Sequence, residues 1–199
     1  MACEKKTVLG ILGGIFNPVH NGHLAIAQLA REYYDLDRVL FVPAGIPPHK
    51  PESTIVSADH RMAMLRRALK DNKAFAIEDI EITQRTVSYT VNTLRVLQKR
   101  FAGSALYFII GSDNLFEILT WRNYKTILRM VTFCVAHRPG FSLRIPPELS
   151  RAKILPFPSP EWGISSTKIR SYSAKKLSCR YLIPKGVTDY IRKNKLYQK

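Results

Sequence analysis

The chain has 199 residues, 46% of them hydrophobic, with a formal charge of +16 from 31 Lys and Arg against 15 Asp and Glu. That length and apolar content suit a single globular domain spanning residues 1–199, and they exclude a disordered chain; no stretch approaches the length of a membrane span. The positive balance points to anionic partners, either nucleotides or nucleic acid, but its scatter along the sequence reads as solvated surface rather than a polyanion track.

The first apolar run, Thr7 to Leu12, reads as a buried strand. Lys5-Lys6 before it faintly imitates a secretory leader, but the run leads into glycines and histidines instead of a small-residue cleavage site. Leu24 to Tyr34 carries the apolar spacing of an amphipathic helix that begins near Gly22, and Val39 to Val42 is a second strand. Four prolines between Pro43 and Pro51 remove donors and restrict their neighbours, so this segment is a loop. Ser57 or Asp59 caps a helix running to about Leu69. Phe75 to Ile82 alternates as a strand, Tyr89 to Phe101 is helical, and Ala105 to Ile110 is a continuous apolar strand of the kind buried on both faces.

Gly111-Ser112-Asp113 ends that strand and caps a helix over about Asn114 to Leu119. Val131 to Ala136 and, more weakly, Ile154 to Phe157 are further strands, followed by helices over Lys168 to Ser173 and Val187 to Asn194. The proline-rich stretch from Arg138 to Arg151 reads as an insertion. Strands and helices alternate throughout, which predicts an α/β, mostly parallel, Rossmann-like sheet with helices on both faces and a small C-terminal helical portion. Ligands are expected over the carboxyl ends of the strands. Cys3, Cys134 and Cys179 are far apart and in no Cys-x-x-Cys spacing, which argues for a reducing compartment, here the cytoplasm, and against a disulfide framework or zinc ribbon.

Two segments carry chemistry. Gly13-Gly14-Ile15-Phe16-Asn17-Pro18-Val19-His20-Asn21-Gly22-His23 joins a strand, a glycine turn and a helix start. A glycine pair lets backbone approach an anion, and a helix N-terminus aims unpaired N–H groups and a positive dipole end at it. His20 and His23 share one face of the first turn, so they suit phosphate; a metal half-site and an ordinary helix cap are the alternatives. The second segment, Ile164-Ser165-Ser166-Thr167-Lys168-Ile169-Arg170, places three hydroxyls at a helix start with a guanidinium one turn on. Taken alone, these are caps as readily as phosphate ligands.

Together the two segments resemble the signatures of His-x-Gly-His nucleotidyltransferases. Within that superfamily the chain is most similar to bacterial nicotinate-nucleotide adenylyltransferases. Further matches, in order, are Pro47-Pro48-His49-Lys50, Ser88-Tyr89-Thr90, Ile109 to Asp113, Thr120-Trp121, Arg138-Pro139-Gly140 and Tyr190 to Tyr197. The resemblance implies adenylyl transfer from ATP to nicotinate mononucleotide, giving deamido-NAD and pyrophosphate, by direct in-line attack of the mononucleotide phosphate on the α-phosphorus.

It also implies roles. His20 and His23 hold the ATP phosphates, His20 nearest the α-phosphate, while Arg170 with Ser165 and Ser166 holds the leaving pyrophosphate. Gly13, Gly14, Ile15, Phe16, Gly111, Asp113, Ile164 and Thr167 complete the ATP side, with Asp113 toward a ribose hydroxyl. Asn17, Lys50, Thr90, Trp121 and Arg122 serve the mononucleotide. Trp121 is either a stacking face for the cationic pyridine ring or a half-buried helix-end tryptophan. Mg²⁺ arrives on the ATP phosphates, and no protein metal site is expected. Arg138 lies near the nucleotide in such enzymes, without an assigned partner.

The chain departs from the family's usual pattern at Ile15, Asn17 and Arg122, commonly Thr, Asp and Tyr. Asn17 removes a negative charge beside the phosphates but keeps hydrogen-bonding capacity. Arg122 adds attraction for the nicotinate carboxylate, so the acid mononucleotide is expected to be preferred over the amide. The neighbouring readings are a dual-specific or nicotinamide-mononucleotide adenylyltransferase and, from another class, a basic RNA-binding protein. Partners are therefore ATP and nicotinate mononucleotide, with neither membrane nor nucleic acid expected and homo-oligomerisation left open.

Overall fold

The computed structural model describes residues 6–46, 55–84, 88–137, 143, 145–160 and 163–198, and at Asp113 the backbone alone. Strands β1 (Val8–Gly14), β2 (Arg38–Pro43), β3 (Phe75–Ile77), β4 (Ala105–Gly111), β5 (Thr132–Ala136) and β6 (Ile154–Phe157) form one sheet in the order β3-β2-β1-β4-β5-β6. Between and after them come α1 (Asn21–Tyr33), α2 (Ala58–Leu69), α3 (Ile80–Gln84), α4 (Thr90–Arg100), α5 (Ser112–Glu117), α6 (Tyr124–Met130), α7 (Ser166–Ala174) and α8 (Lys185–Lys193). β4 runs parallel to β1, with Val8 opposite Ala105, and parallel to β5, with Ile109 opposite Cys134; β5 and β6 are also parallel. This is a Rossmann-like arrangement. Strand order reverses between β1 and β4, and residues 13–17 leave the sheet at the carboxyl end of β1, where such sheets present ligands.

The chain divides into two compact units, one comprising Met1–Leu12, Ile26–Leu40 and Ser88–Glu161, the other Gly13–Ala25, Phe41–Val87 and Trp162–Lys199. The core of the first contains Ile11, Leu94, Leu97, Ile109, Phe133 and Val135, all essentially without solvent contact. Each such side chain contributes roughly 1.5–3 kcal/mol by leaving water. Gly10 is glycine because a Cβ there would lie 2.8 Å from Leu36 Cδ1 and 3.1 Å from Ile109 Cδ1. Along β5 and β6, burial pushes the Cys134 thiol up to about 12 and the Tyr34 phenol up to about 12; Tyr34 donates to the Pro156 carbonyl at 3.0 Å. Cys134 is therefore a packed thiol, not a nucleophile.

The second unit centres on Phe16, Phe41, Met64, Leu65, Ile169 and Val187. α2 starts as expected, with Ser57 Oγ accepting from the His60 amide at 3.3 Å. Gly186 at the start of α8 faces α2, where a Cβ would meet Arg67 at 3.4 Å, and the Arg67 guanidinium lies 4.3 Å over the Tyr190 ring.

One expectation needs correction, and two further elements add to the reading. The strand expected over Phe75 to Ile82 stops at Ile77 and α3 follows, its Thr83 hydroxyl returned to the Asp79 and Ile80 carbonyls. Alternation over eight residues cannot distinguish a strand from a short strand and one helical turn when only Ile80 is buried in the latter. α6 was not foreseen, because its buried residue is Ile127 and one apolar position makes no stripe. In the expected insertion, Pro147–Leu149 forms a 3-10 turn that buries Leu149. Among the described residues no helix is long and apolar enough to cross a membrane.

Candidate active site

The second unit brings the two chemical segments together. β1 ends in Gly13 and Gly14, and Phe16 then takes a left-handed backbone, φ 51°, that costs a side-chain-bearing residue energy unless its surroundings impose it. They do. Phe16 is 2% exposed, its ring meets the His23 ring edge-on at 5.1 Å and the Phe41 ring at 5.8 Å, and a Cβ at Gly14 would come within 3.1 Å of it.

At the start of α1 the two imidazoles form a reciprocal cap. His20 Nδ1 accepts from the His23 amide at 3.3 Å, and His23 Nδ1 accepts from the His20 amide at 3.2 Å. This is the geometry of a capping box, with imidazoles in the places usual for a hydroxyl and a carboxylate. The rings stack with centroids 3.6 Å apart. An Nδ1 that accepts cannot also carry the proton, so each neutral ring keeps it on Nε2 and is a donor there. Gly22 is required between them, since a Cβ at that position would stand 3.1 Å from His20 Nδ1. Ile164 is the other side chain that such a Cβ would approach, at 3.9 Å. Asn21 fixes the helix start from outside: its amide N–H donates to the Leu182 carbonyl at 2.9 Å and its side chain to the Tyr181 carbonyl at 2.7 Å.

The distant segment clasps the same turn. Arg170 Nη1 donates to the Asn17 carbonyl at 2.9 Å and Nη2 to Thr167 Oγ1 at 3.2 Å, while Ser166 Oγ donates to the Pro18 carbonyl at 2.9 Å. Ser165 is the N-cap of α7, its oxygen accepting from the Lys168 amide. Ile15, Phe16, Asn17, His23, Ile55, Ser166 and Arg170 line a cavity of about 180 Å³. Among the described residues its polar lining consists of amide, imidazole, hydroxyl and guanidinium groups without a carboxylate, a donor set for an anion rather than a bare cation.

One residue of this region was not foreseen. Arg61 on α2 is 3% exposed, and its guanidinium donates to the carbonyls of Ile15 at 3.0 Å, Ala44 at 2.6 Å and Gly45 at 3.3 Å. Burial depresses its basicity, and Nε finds no partner among the described residues. The signal was an arginine on the apolar face beside Met62 and Leu65. A charge there is costly unless it is hydrogen-bonded, and here it braces the loop backbone.

The first unit contains Thr90, Trp121 and Arg122. Thr90 opens α4, whose N-cap Tyr89 provides no side-chain cap. The Arg122 guanidinium lies 4.6 Å over the Tyr89 ring, so the Trp121-Arg122 turn and the α4 N-terminus are neighbours. Trp121 is half-buried and meets Phe108 edge-on at 5.8 Å. Gly111 is the N-cap of α5. Lys50 and Arg138, and with them Pro47-Pro48-His49 and Pro139-Gly140, lie outside the described residues, as do Cys3, Trp162 and the Asp113 side chain.

Residues 11–172 match the cytidylyltransferase-like family. A probable nicotinate-nucleotide adenylyltransferase of Desulfitobacterium hafniense strain Y51 is 42% identical, over 96% of this chain and 95% of its own. One from Exiguobacterium sibiricum is 40% identical, over 95% and 98%. The solved structure of the Plasmodium falciparum nicotinic acid mononucleotide adenylyltransferase complexed with NaAD shares the fold at a TM-score of 0.79, with 20% identity and 96% and 97% of the two chains covered. On this agreement of sequence and fold, the chain belongs to the nicotinate-nucleotide adenylyltransferase family, within the cytidylyltransferase-like group.

Proposed function

We propose that this protein, as one nucleotidyltransferase domain over residues 1–199 working in the cytoplasm, transfers the adenylyl group of ATP to nicotinate mononucleotide. A phosphate oxygen of the mononucleotide attacks the α-phosphorus in line, a new P–O bond forms, and the α–β bridging bond breaks with its electron pair leaving on pyrophosphate. Deamido-NAD and pyrophosphate are the products. No bond to the protein is made, so catalysis is alignment and neutralisation of charge that moves toward the leaving group.

The observation that carries this reading is the bond from Arg170 Nη1 to the Asn17 carbonyl, 2.9 Å long and joining residues 153 apart, at the wall of one cavity. In the proposed roles, the Nε2–H groups of His20 and His23 and the N-terminus of α1 meet the ATP phosphates, His20 nearest the α-phosphate. Arg170 and the first turn of α7 receive the departing pyrophosphate. Ser165 keeps a hydroxyl proton to give. Ser166 has spent its own on Pro18, so it acts through its backbone N–H and by fixing the loop. The Gly13-Gly14-Ile15-Phe16 turn supplies backbone, in line with Arg61 holding the Ile15 carbonyl. ATP enters as its Mg²⁺ complex, the ion held by phosphate and water, as suits a cavity whose described lining has no carboxylate.

For the second substrate, Trp121 presents a face to the cationic pyridine ring. The uncapped α4 N-terminus at Thr90, with Arg122 beside it, favours a carboxylate over a neutral amide. Lys50 is proposed to neutralise a substrate phosphate. The test is pyrophosphate release with ATP and Mg²⁺, offering the acid and amide mononucleotides side by side. Turnover with kcat/KM at least about tenfold higher for the acid is expected, a difference worth about 1.4 kcal/mol. Equal values remove the selectivity, and no pyrophosphate with either removes the function.

A further inference from the structure

Asn17 takes hydrogen bonds from three remote parts of the chain. Its carbonyl receives Arg170, and its side-chain oxygen receives the Val56 amide at 3.4 Å and the Tyr197 hydroxyl at 2.8 Å, across 180 residues. Asn17 is 5% exposed, and these bonds lie in part-buried surroundings, where they are stronger than in open water. Tyr197 is delivered by the way α8 ends. The Lys195 amide bonds to the Arg192 carbonyl at 3.2 Å and the Leu196 amide to the Ile191 carbonyl at 3.0 Å, with Lys195 left-handed at φ 51° and Leu196 and Ile191 both buried. This is a Schellman ending, normally built on glycine, made here with lysine. Tyr197 itself is also left-handed, at φ 61°. Two strained residues in three persist only where the surroundings over-determine them, and the buried contacts of Leu196 and the Tyr197–Asn17 bond do so.

We propose that Tyr197 is a positioning residue for the phosphate-binding turn: its hydroxyl locks Asn17, and Asn17 in turn orients Arg170. The proposal rests on the adenylyl-transfer reading and extends it to the C-terminal segment. Burial holds the Tyr197 phenol above its ordinary value despite nearby Arg170 and Arg61, so the hydroxyl keeps the proton it donates throughout the working range. The same pin serves a carboxylate at position 17, because it needs only an acceptor oxygen there.

Tyr197→Phe removes the hydroxyl and keeps the ring. Its kcat for pyrophosphate release is expected to fall about tenfold, more than the KM for ATP rises, since Arg170 bears chiefly on the departing pyrophosphate and only in part on bound ATP. Asn17→Ala is expected to behave similarly, and the double variant to be no more than about twofold worse than either single one, the mark of residues acting through each other. A kcat for Tyr197→Phe within about twofold of the parent, or losses that multiply in the double variant, overturns the proposal. A parent enzyme that releases no pyrophosphate with any mononucleotide sinks the functional reading separately. The positioning role is then decided by calorimetry with inorganic pyrophosphate: binding weakened about fivefold in Tyr197→Phe supports it and equal affinity overturns it.

Discussion

The turn at residues 13–18 and the segment around Thr90, Trp121 and Arg122 are built by different means. The turn is pinned atom by atom: the carbonyls of Ile15, Asn17 and Pro18 each accept a side-chain donor, from Arg61, Arg170 and Ser166 respectively. Around Trp121 the contacts are of another kind, an edge-on ring pair with Phe108 and a guanidinium over Tyr89. Hydrogen bonds to fixed carbonyls specify position to fractions of an ångström, whereas aromatic and cation–π contacts tolerate sliding. A reaction with no covalent intermediate needs the first kind of construction where the phosphorus is attacked. Selectivity between two pyridine nucleotides can use the second.

Breaking the pinned region should therefore cost far more than altering the other. Arg170→Ala removes both the clasp on Asn17 and the cation proposed for the leaving group, and kcat for pyrophosphate release is expected to fall by 10²–10³, about 3–4 kcal/mol. A loss below tenfold would show the clasp to be structural. Arg61→Met takes the guanidinium donors away from the Ile15 and Ala44 carbonyls. Each such orphan costs about 1–3 kcal/mol, partly offset because a costly buried cation is removed, so about 2–4 kcal/mol of stability should be lost in urea unfolding. An unchanged midpoint would refute its bracing role.

In the looser region smaller changes are expected. Arg122→Ala should lower the acid-over-amide ratio of kcat/KM by about three- to tenfold while leaving kcat nearly intact, because an exposed cation acts mainly on binding. If the ratio stays put, Arg122 plays no part in substrate choice. A separate effect concerns pH. Cys134 and Tyr34 have folded values of about 12, above their ordinary values of 9.0 and 10.0. Both are protonated in folded and unfolded chains below pH 9, so their contribution is full there. Above it the unfolded chain releases protons first, and stability should decline as pH rises toward 12. Chemical unfolding across pH 7–11 checks this, and a midpoint that rises between pH 9 and 11 would contradict it.

How far the sequence carried this account varies with the kind of interaction. Long apolar runs such as Ala105 to Ile110 and stripes such as Leu24 to Tyr34 announced their elements, because periodicity reports burial directly. The site's two segments were legible because a strand, a glycine turn and a helix start with two histidines suit an anion, and because the pair together resembles a known pair of signatures. Arg61 and Tyr197 were not, since what they do depends on which carbonyl or amide oxygen the fold brings to them. Nor was the reciprocal bonding of His20 and His23, although their three-residue spacing was the clue. For the serines at 165 and 166 the spacing leaves caps and phosphate ligands open; in the fold Ser165 Oγ accepts from the Lys168 amide and Ser166 Oγ donates to the Pro18 carbonyl.

The account stands or falls on the imidazole cap as a donor to the reacting phosphate. Steady-state pyrophosphate release by His20→Ala measures this most directly. A kcat lowered by about 10²-fold, with the KM for ATP changed far less, is the predicted result; a kcat within a few-fold of the parent would contradict it.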